Sequence, residues 1–213
     1  MKKAIAHLTQ TDPVLAGIIR RVGPMKPQYA PPTFENLVRS IAYQQLNGKA
    51  AKTIFDRVLS AAGGALTPES VLAVTEAQLR ACGLSRQKLS YIRDLAARTQ
   101  AKEIEFERLP DMSDDDVIEH LTRVKGIGLW SAQMFLMFAL RRPDVMPATD
   151  FGVQMAIKTH WRKRKLPKPD FVECSAMKIQ SFSRAVSWSR DSKGERTLIS
   201  FSTPCARKAA TFS

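Results

Sequence analysis

LTRVKGIGLWSAQMFLMFALRRPDVMPATDFGVQMAIK, running from Leu121 to Lys158, holds two helical patterns on either side of Val124-Lys125-Gly126-Ile127-Gly128. Gly126 and Gly128 permit a tight turn that side chains would obstruct. Such a turn exposes backbone N–H groups at the start of the following helix. Those donors, aided by the positive end of the helix dipole, grip a phosphate without reading sequence. The helix after the turn is almost wholly apolar, from Trp130 through Met134, Phe135, Leu136, Met137 and Phe138 to Leu140, and is expected to be central and buried on most sides. Past Pro143 and Pro147, Asp150 stands at the start of a further apolar pattern, Val153, Met155, Ala156 and Ile157. A carboxylate there is partly desolvated, yet its charge is favoured by the helix N-terminus. On local sequence two plainer readings stand beside these. The glycine turn also reads as a structural connection, and Asp150 as an ordinary N-cap, a role Thr149 could equally fill.

Outward from this stretch the chain keeps the same 3.6-residue apolar period with helix-start residues, and nowhere sustains strand-type alternation. The fold class is therefore all-α, and the short connections favour a packed bundle of antiparallel neighbours, as one compact domain or two small lobes. Asp12-Pro13 opens one helix. Thr33 caps a second, with Phe34, Leu37, Val38, Ile41 and Ala42 on one stripe, and a third runs from about Lys49 to the Gly63-Gly64 exit. Thr67-Pro68, Thr75, Ser85 and Ser113 mark further starts, and no internal repeat or low-complexity block is found. After Trp188 the apolar spacing fails. Residues 1–188 are expected to form the folded part, and 189–213 a mobile basic, Ser-rich tail.

The chain of 213 residues, 44% hydrophobic, can build a core. Its 33 Lys and Arg against 20 Asp and Glu give a net charge of +13, which points to a polyanion and to nucleic acid before membrane. Residues 158–213 carry thirteen basic and four acidic side chains, so most of the surplus lies downstream of the hairpin. Trp161–Asp170, WRKRKLPKPD, reads as a solvated basic face. No stretch approaches the ~18 apolar residues of a membrane span, and the start lacks a signal-peptide core, so an intracellular protein without membrane contact is expected. Cys82, Cys174 and Cys205 suit neither a disulfide framework, a thiolate zinc site nor a four-cysteine iron–sulfur cluster.

The stretch resembles the helix-hairpin-helix (HhH-GPD) DNA glycosylases, in particular the 3-methyladenine DNA glycosylase II group in its small form. The residues that carry the likeness are Gly126-Ile127-Gly128-Leu129-Trp130-Ser131-Ala132, Phe138-Ala139-Leu140, Arg142-Pro143-Asp144 and Thr149-Asp150-Phe151-Gly152-Val153. Arg39–Val58 and Cys82–Ala96 also fit in order and spacing, so the similarity covers roughly residues 8 to 169.

The resemblance implies a compact two-lobed helical bundle over residues 1–188 with a central helix-hairpin-helix and a cleft between the lobes, and a monofunctional DNA glycosylase of base excision repair, removing alkylated bases of the 3-methyladenine and 7-methylguanine type from duplex DNA by base flipping. Asp150 matches the catalytic aspartate. Relatives with lyase activity carry a Schiff-base lysine where this chain has Trp130. Trp130, Met134, Tyr43 and Phe34 are the base-pocket candidates, each also readable as ordinary core packing. Leu46 or Asn47 would fill the gap left by the flipped nucleotide and Gln45 reach the opposite base; a plain polar helix end is the other reading, and Gly48 allows an exit turn under both. Lys125, Gly126, Ile127, Gly128 and Thr149 would meet DNA. The carbonyls of Thr122, Val124 and Ile127 are implied as ligands of a monovalent cation bridging to phosphate; no cofactor is required. The protein is expected to act as a monomer on double-stranded DNA, in the cytoplasm, nucleoid or nucleus. Arg184 and Trp188, in Ser181–Ser192, echo the family's pocket-closing last helix only distantly. The competing readings are a non-catalytic helix-hairpin-helix DNA-binding module, with Asp150 merely a cap, and an all-α protein scaffold.

Overall fold

The computed structural model describes residues 2–23 and 27–179, and the strand segments 187–190 and 196–200. Eleven α-helices occur among them: α1 (Lys2–Thr11), α2 (Pro13–Val22), α3 (Phe34–Tyr43), α4 (Gly48–Ala61), α5 (Pro68–Ala73), α6 (Glu76–Ala81), α7 (Arg86–Gln100), α8 (Asp114–Thr122), α9 (Leu129–Phe138), α10 (Phe151–His160) and α11 (Pro169–Ile179). A 3₁₀ turn, Leu109–Asp111, precedes α8. The starts marked by polar residues are real caps. Asp12, Thr33, Thr67, Thr75, Ser85 and Ser113 each accept a backbone N–H from the first turn of their helix, and Thr67 and Thr75 complete reciprocal capping boxes. Gly63 and Gly64, at φ 82° and 88°, make the exit from α4.

The chain divides into two units, one of residues 27–145 and one of 1–26 with 146–213. The first contains α3 to α9 around a core in which Leu37, Ile41, Leu79, Ile92, Leu95, Leu121 and Leu136 are fully buried. Phe34 belongs to this core. At 7% exposure it meets Phe106 edge-on, ring centroids 6.3 Å apart. Arg142 secures the chain after α9 by donating to the Pro110 and Met112 carbonyls, both at 2.8 Å. Its Nε also lies 3.3 Å from Asp114 Oδ1.

In the second unit α1 packs on α2 and α10 on α11. Asp12 caps α2 through Oδ1 while its Oδ2 accepts from Trp161 Nε1 at 3.3 Å, which ties the segment after α10 to the start of α2. Helix α11 begins inside the segment read as a basic face, at Pro169, and buries Val172. Among the described residues the unit also holds an antiparallel pair, β1 (Ser187–Arg190) with β2 (Arg196–Ser200). Two short strands hardly register as a pattern, because their pairing is with each other. Arg184 lies outside the described residues. No helix among those described is long and apolar enough to cross a membrane, and no cluster of His, Cys, Asp and Glu among them could hold a metal.

Candidate functional site

The hairpin between α8 and α9 places its two glycines in different roles. Gly126 has φ +78°, and a Cβ built there would fall 2.1 Å from Cδ2 of Tyr91, so the tyrosine ring lies directly on the glycine. Gly128 has φ −96° and nothing within 4 Å of its Cβ position. The sequence reading gave both the same turn-forming task, but only Gly126 needs it. Gly128 is the N-cap of α9 and supplies no side-chain cap, leaving open space at the helix start. Ile127 is buried and its N–H donates to the Val124 carbonyl at 3.1 Å, closing the turn. Lys125 is exposed, its N–H donating to Asp94 Oδ2 at 2.9 Å and its Nζ 3.8 Å from Asp94 Oδ1. Arg98 Nε donates to the same Oδ2 at 3.1 Å.

Beside this turn lies a cavity of about 700 Å³ within the 27–145 unit. Tyr43, Tyr91, Trp130, Phe135 and Phe138 give it aromatic walls, with Met134 among them, and Asn36, Ser40, Gln44, Gln87 and Lys88 add polar groups. Helix α9 therefore does not sit buried on most sides as its composition suggests. Ala132, Phe135 and Leu136 face the core, while Trp130 is 47% exposed and presents its indole to the cavity. Three of the four pocket candidates, Trp130, Met134 and Tyr43, meet in this one space. Phe34 does not line it, because its place on the α3 stripe turns it into the core.

Helix α3 ends at Tyr43, and the segment to α4 is built tightly. Gln45 holds a left-handed φ of +57°, so the strained residue is Gln45 and not Gly48, which simply starts α4. Strain of this kind at an exposed non-glycine residue gathers at functional sites. Leu46 is 41% exposed, and Asn47 caps α4 by accepting from Ala50 N–H at 2.9 Å. That bond occupies Asn47 and leaves Leu46 as the outward apolar group. Gln44 Nε2 donates to the Gly126 carbonyl at 3.1 Å, joining this segment to the hairpin. Lys88 Nζ donates to the Ala42 carbonyl at 2.8 Å, and burial lowers its pKa from the ordinary lysine value.

Asp150 is the N-cap of α10 in the other unit, its Oδ1 accepting from Val153 N–H at 2.8 Å. Thr149, exposed, is passed over for that role. Gly152 leaves room beside the carboxylate, since a Cβ there would lie 3.0 Å from Oδ1. Helix α10 buries none of its residues, and Phe151 is 68% exposed. The carbonyl oxygens of Thr122, Val124 and Ile127 belong to the turn at the end of α8. Val124 already accepts from Ile127 yet keeps a second lone pair, and neutral oxygens of this kind suit a hard monovalent cation.

Residues 38–181 match the family described as HhH-GPD superfamily base excision DNA repair protein. The chain belongs to the HhH-GPD superfamily. Among its HhH-GPD relatives, the chain is 34% identical over 197 residues to DNA-3-methyladenine glycosylase 1 of Schizosaccharomyces pombe, covering 88% of this chain and 85% of that protein. It is 37% identical to the DNA-3-methyladenine glycosylase of Saccharomyces cerevisiae over 70% of this chain and 56% of that longer protein. The solved structure of the S. pombe 3-methyladenine DNA glycosylase in complex with abasic DNA superposes with a TM-score of 0.74 at 33% identity, covering 85% of this chain and 91% of that one. A DNA-3-methyladenine glycosidase from Bacillus halodurans gives 0.72 at 34% identity, covering 83% and 81%. This HhH-GPD chain also uses residues its sequence did not single out. Gln44, Lys88 and Asp94 bond to distant backbone and Tyr91 packs on Gly126, and only the three-residue spacing of the last three along α7 could have drawn notice.

Proposed function

We propose that this protein is a monofunctional DNA glycosylase that hydrolyses the N-glycosidic bond of alkylated purines flipped out of duplex DNA. The observation that carries the reading is the aromatic cavity beside the glycine hairpin. Around 700 Å³ accommodates a nucleobase, and aromatic faces stack on it; methylation at N3 or N7 makes a purine cationic, which adds cation–π attraction. The same family and size of relatives, named for 3-methyladenine, support this choice of base.

The N–H groups of Gly126 and Gly128 and the Lys125 ammonium grip phosphate, and Thr149 lies near enough in sequence to Asp150 to follow the same strand. Extrusion of the nucleotide gives access to a bond that stacking hides. As that bond breaks, positive charge grows on the deoxyribose, and the Asp150 carboxylate stabilises it and orients the attacking water. The cap bond to Val153 fixes the carboxylate at the α10 N-terminus, where the helix dipole favours negative charge. Leu46 fills the vacated stack and Gln45 reaches the opposite base. A monovalent cation on the Thr122, Val124 and Ile127 carbonyls would add positive charge beneath a phosphate; no step of the chemistry needs it. One such monomer suffices for the reaction.

Base release from methylated duplex DNA tests this. Asp150→Asn keeps an oxygen for Val153 and removes the charge, so excision is expected to fall by at least about 10² while DNA binding persists. Wild-type excision by that variant would leave Asp150 a helix cap, and no base release by the unaltered protein would favour the DNA-binding module.

A further inference from the structure

One face of α7 carries three attachments to two loops whose directly bonded residues, Gln44 and Gly126, are 82 apart in sequence. Lys88 Nζ holds the Ala42 carbonyl in the last turn of α3, where the helix itself offers no partner. Tyr91 covers Gly126 so closely that no side chain fits there. Asp94 holds the Lys125 N–H, and Arg98 and Lys125 balance its charge. A fourth bond closes the frame directly, from Gln44 Nε2 to the Gly126 carbonyl. Helix α7 is a stiff support for these attachments, because Leu89, Ile92, Leu95 and Ala96 on its other face are buried.

We propose that Lys88, Tyr91, Asp94 and Gln44 are positioning residues that make the Gln44–Asn47 segment and the hairpin one rigid reading head. The inference rests on the reading that this segment wedges into DNA and that the hairpin grips phosphate. Residues 88, 91 and 94 rise by about 4.5 Å at each step, so α7 sets the spacing of the two loops like a ruler. Gripping the phosphate then fixes where Leu46 enters the stack. A frame of this kind separates two quantities. Contact with phosphate depends on the hairpin itself, whereas insertion depends on the register between hairpin and wedge, and small misplacements carry large costs there. The strained φ at Gln45 persists for the same reason, since Lys88 on one side and the Asn47 cap on the other hold it in place.

The test uses the full chain and two duplexes, one undamaged and one carrying a tetrahydrofuran abasic analogue beside 2-aminopurine. Lys88→Met is expected to weaken binding to the abasic duplex about tenfold more than binding to the undamaged duplex, and to reduce the 2-aminopurine signal. Lys88→Arg, which restores a donor for the Ala42 carbonyl, is expected to recover most of the loss. Gln44→Met, at a partly exposed bond, provides the same readout if Lys88→Met does not fold, and the double variant is expected to lose less than the product of the two. Equal loss on both duplexes, or strictly multiplicative losses, would overturn the frame. Leu46→Ala separates the premises. If it leaves the 2-aminopurine signal unchanged, the wedge reading fails; if it lowers the signal while Lys88→Met and Gln44→Met do not, only the frame fails.

Discussion

Replacing Gly126 by alanine puts a methyl group where the Tyr91 ring already lies, on a backbone that resists it. The new Cβ would stand 2.1, 2.3 and 2.5 Å from Cδ2, Cε2 and Cγ of Tyr91, so the ring must swing aside by more than 1 Å. Overpacking of this order costs about 1–3 kcal/mol. The φ of +78° adds about 1–2 kcal/mol for any residue with a Cβ. Together about 2–5 kcal/mol is expected in equilibrium denaturation, a large share of a typical domain's stability of roughly 5–15 kcal/mol. Tyr91→Ala in the same chain removes the obstacle and leaves only the backbone share. The double variant should therefore be more stable than the sum of the two single losses by about 1–3 kcal/mol. Gly128→Ala is the internal control. Its backbone is ordinary and its Cβ meets nothing, so stability should change by less than about 0.5 kcal/mol, while affinity for undamaged duplex falls because the methyl intrudes where phosphate approaches α9. An alanine at 126 with wild-type stability, or additive losses with Tyr91→Ala, would refute this account of the turn.

Trp130→Ala should abolish most excision of methylated purine in a base-release assay yet cost little stability, since the indole is 47% exposed; a loss confined to thermal stability would return Trp130 to the core. Phe34→Ala should do the reverse, costing about 3–5 kcal/mol in denaturant titration with no change in the relative rates for different damaged bases. Borohydride should trap no covalent adduct with abasic DNA, because the one lysine that lines the cavity among the described residues, Lys88, is committed to the Ala42 carbonyl; an adduct that disappears in Lys88→Met would place Schiff-base chemistry there. Asp150→Ala should lower stability by about 1 kcal/mol through the lost α10 cap, whereas Asp150→Asn should not, which calorimetry on the two variants distinguishes.

The helical class, the order of α2 to α10 and the position of nearly every cap follow from local physics, and local physics is written in sequence. A threonine three residues before an amide it can accept from, or an apolar stripe every 3.6 residues, needs no distant partner to be recognised. The same holds for the surplus of positive charge and for the hairpin between two helical patterns. Asp150 too was legible as a candidate, though only its setting behind Gly126–Gly128 and Trp130 lifted it above an ordinary cap.

Other features depended on which side of a helix meets which neighbour. Phe34 and Tyr43 are both aromatic residues on α3, yet one enters the core against Phe106 and the other lines the cavity. The apolar composition of α9 concealed that Trp130, Met134 and Phe138 wall a pocket, because a side chain facing a cavity and one facing a core can be equally apolar. Gly126 and Gly128 look alike in the chain, and the Tyr91 ring on one and open space on the other separate them. Lys88, Asp94 and Gln44 gained their roles from single bonds to backbone groups on other segments, which leave no trace in composition or period. Sequence thus settled the helices and the chemistry on offer, through interactions within a few residues. Tertiary structure decided which groups share one space, because that choice is made by contacts between segments far apart along the chain.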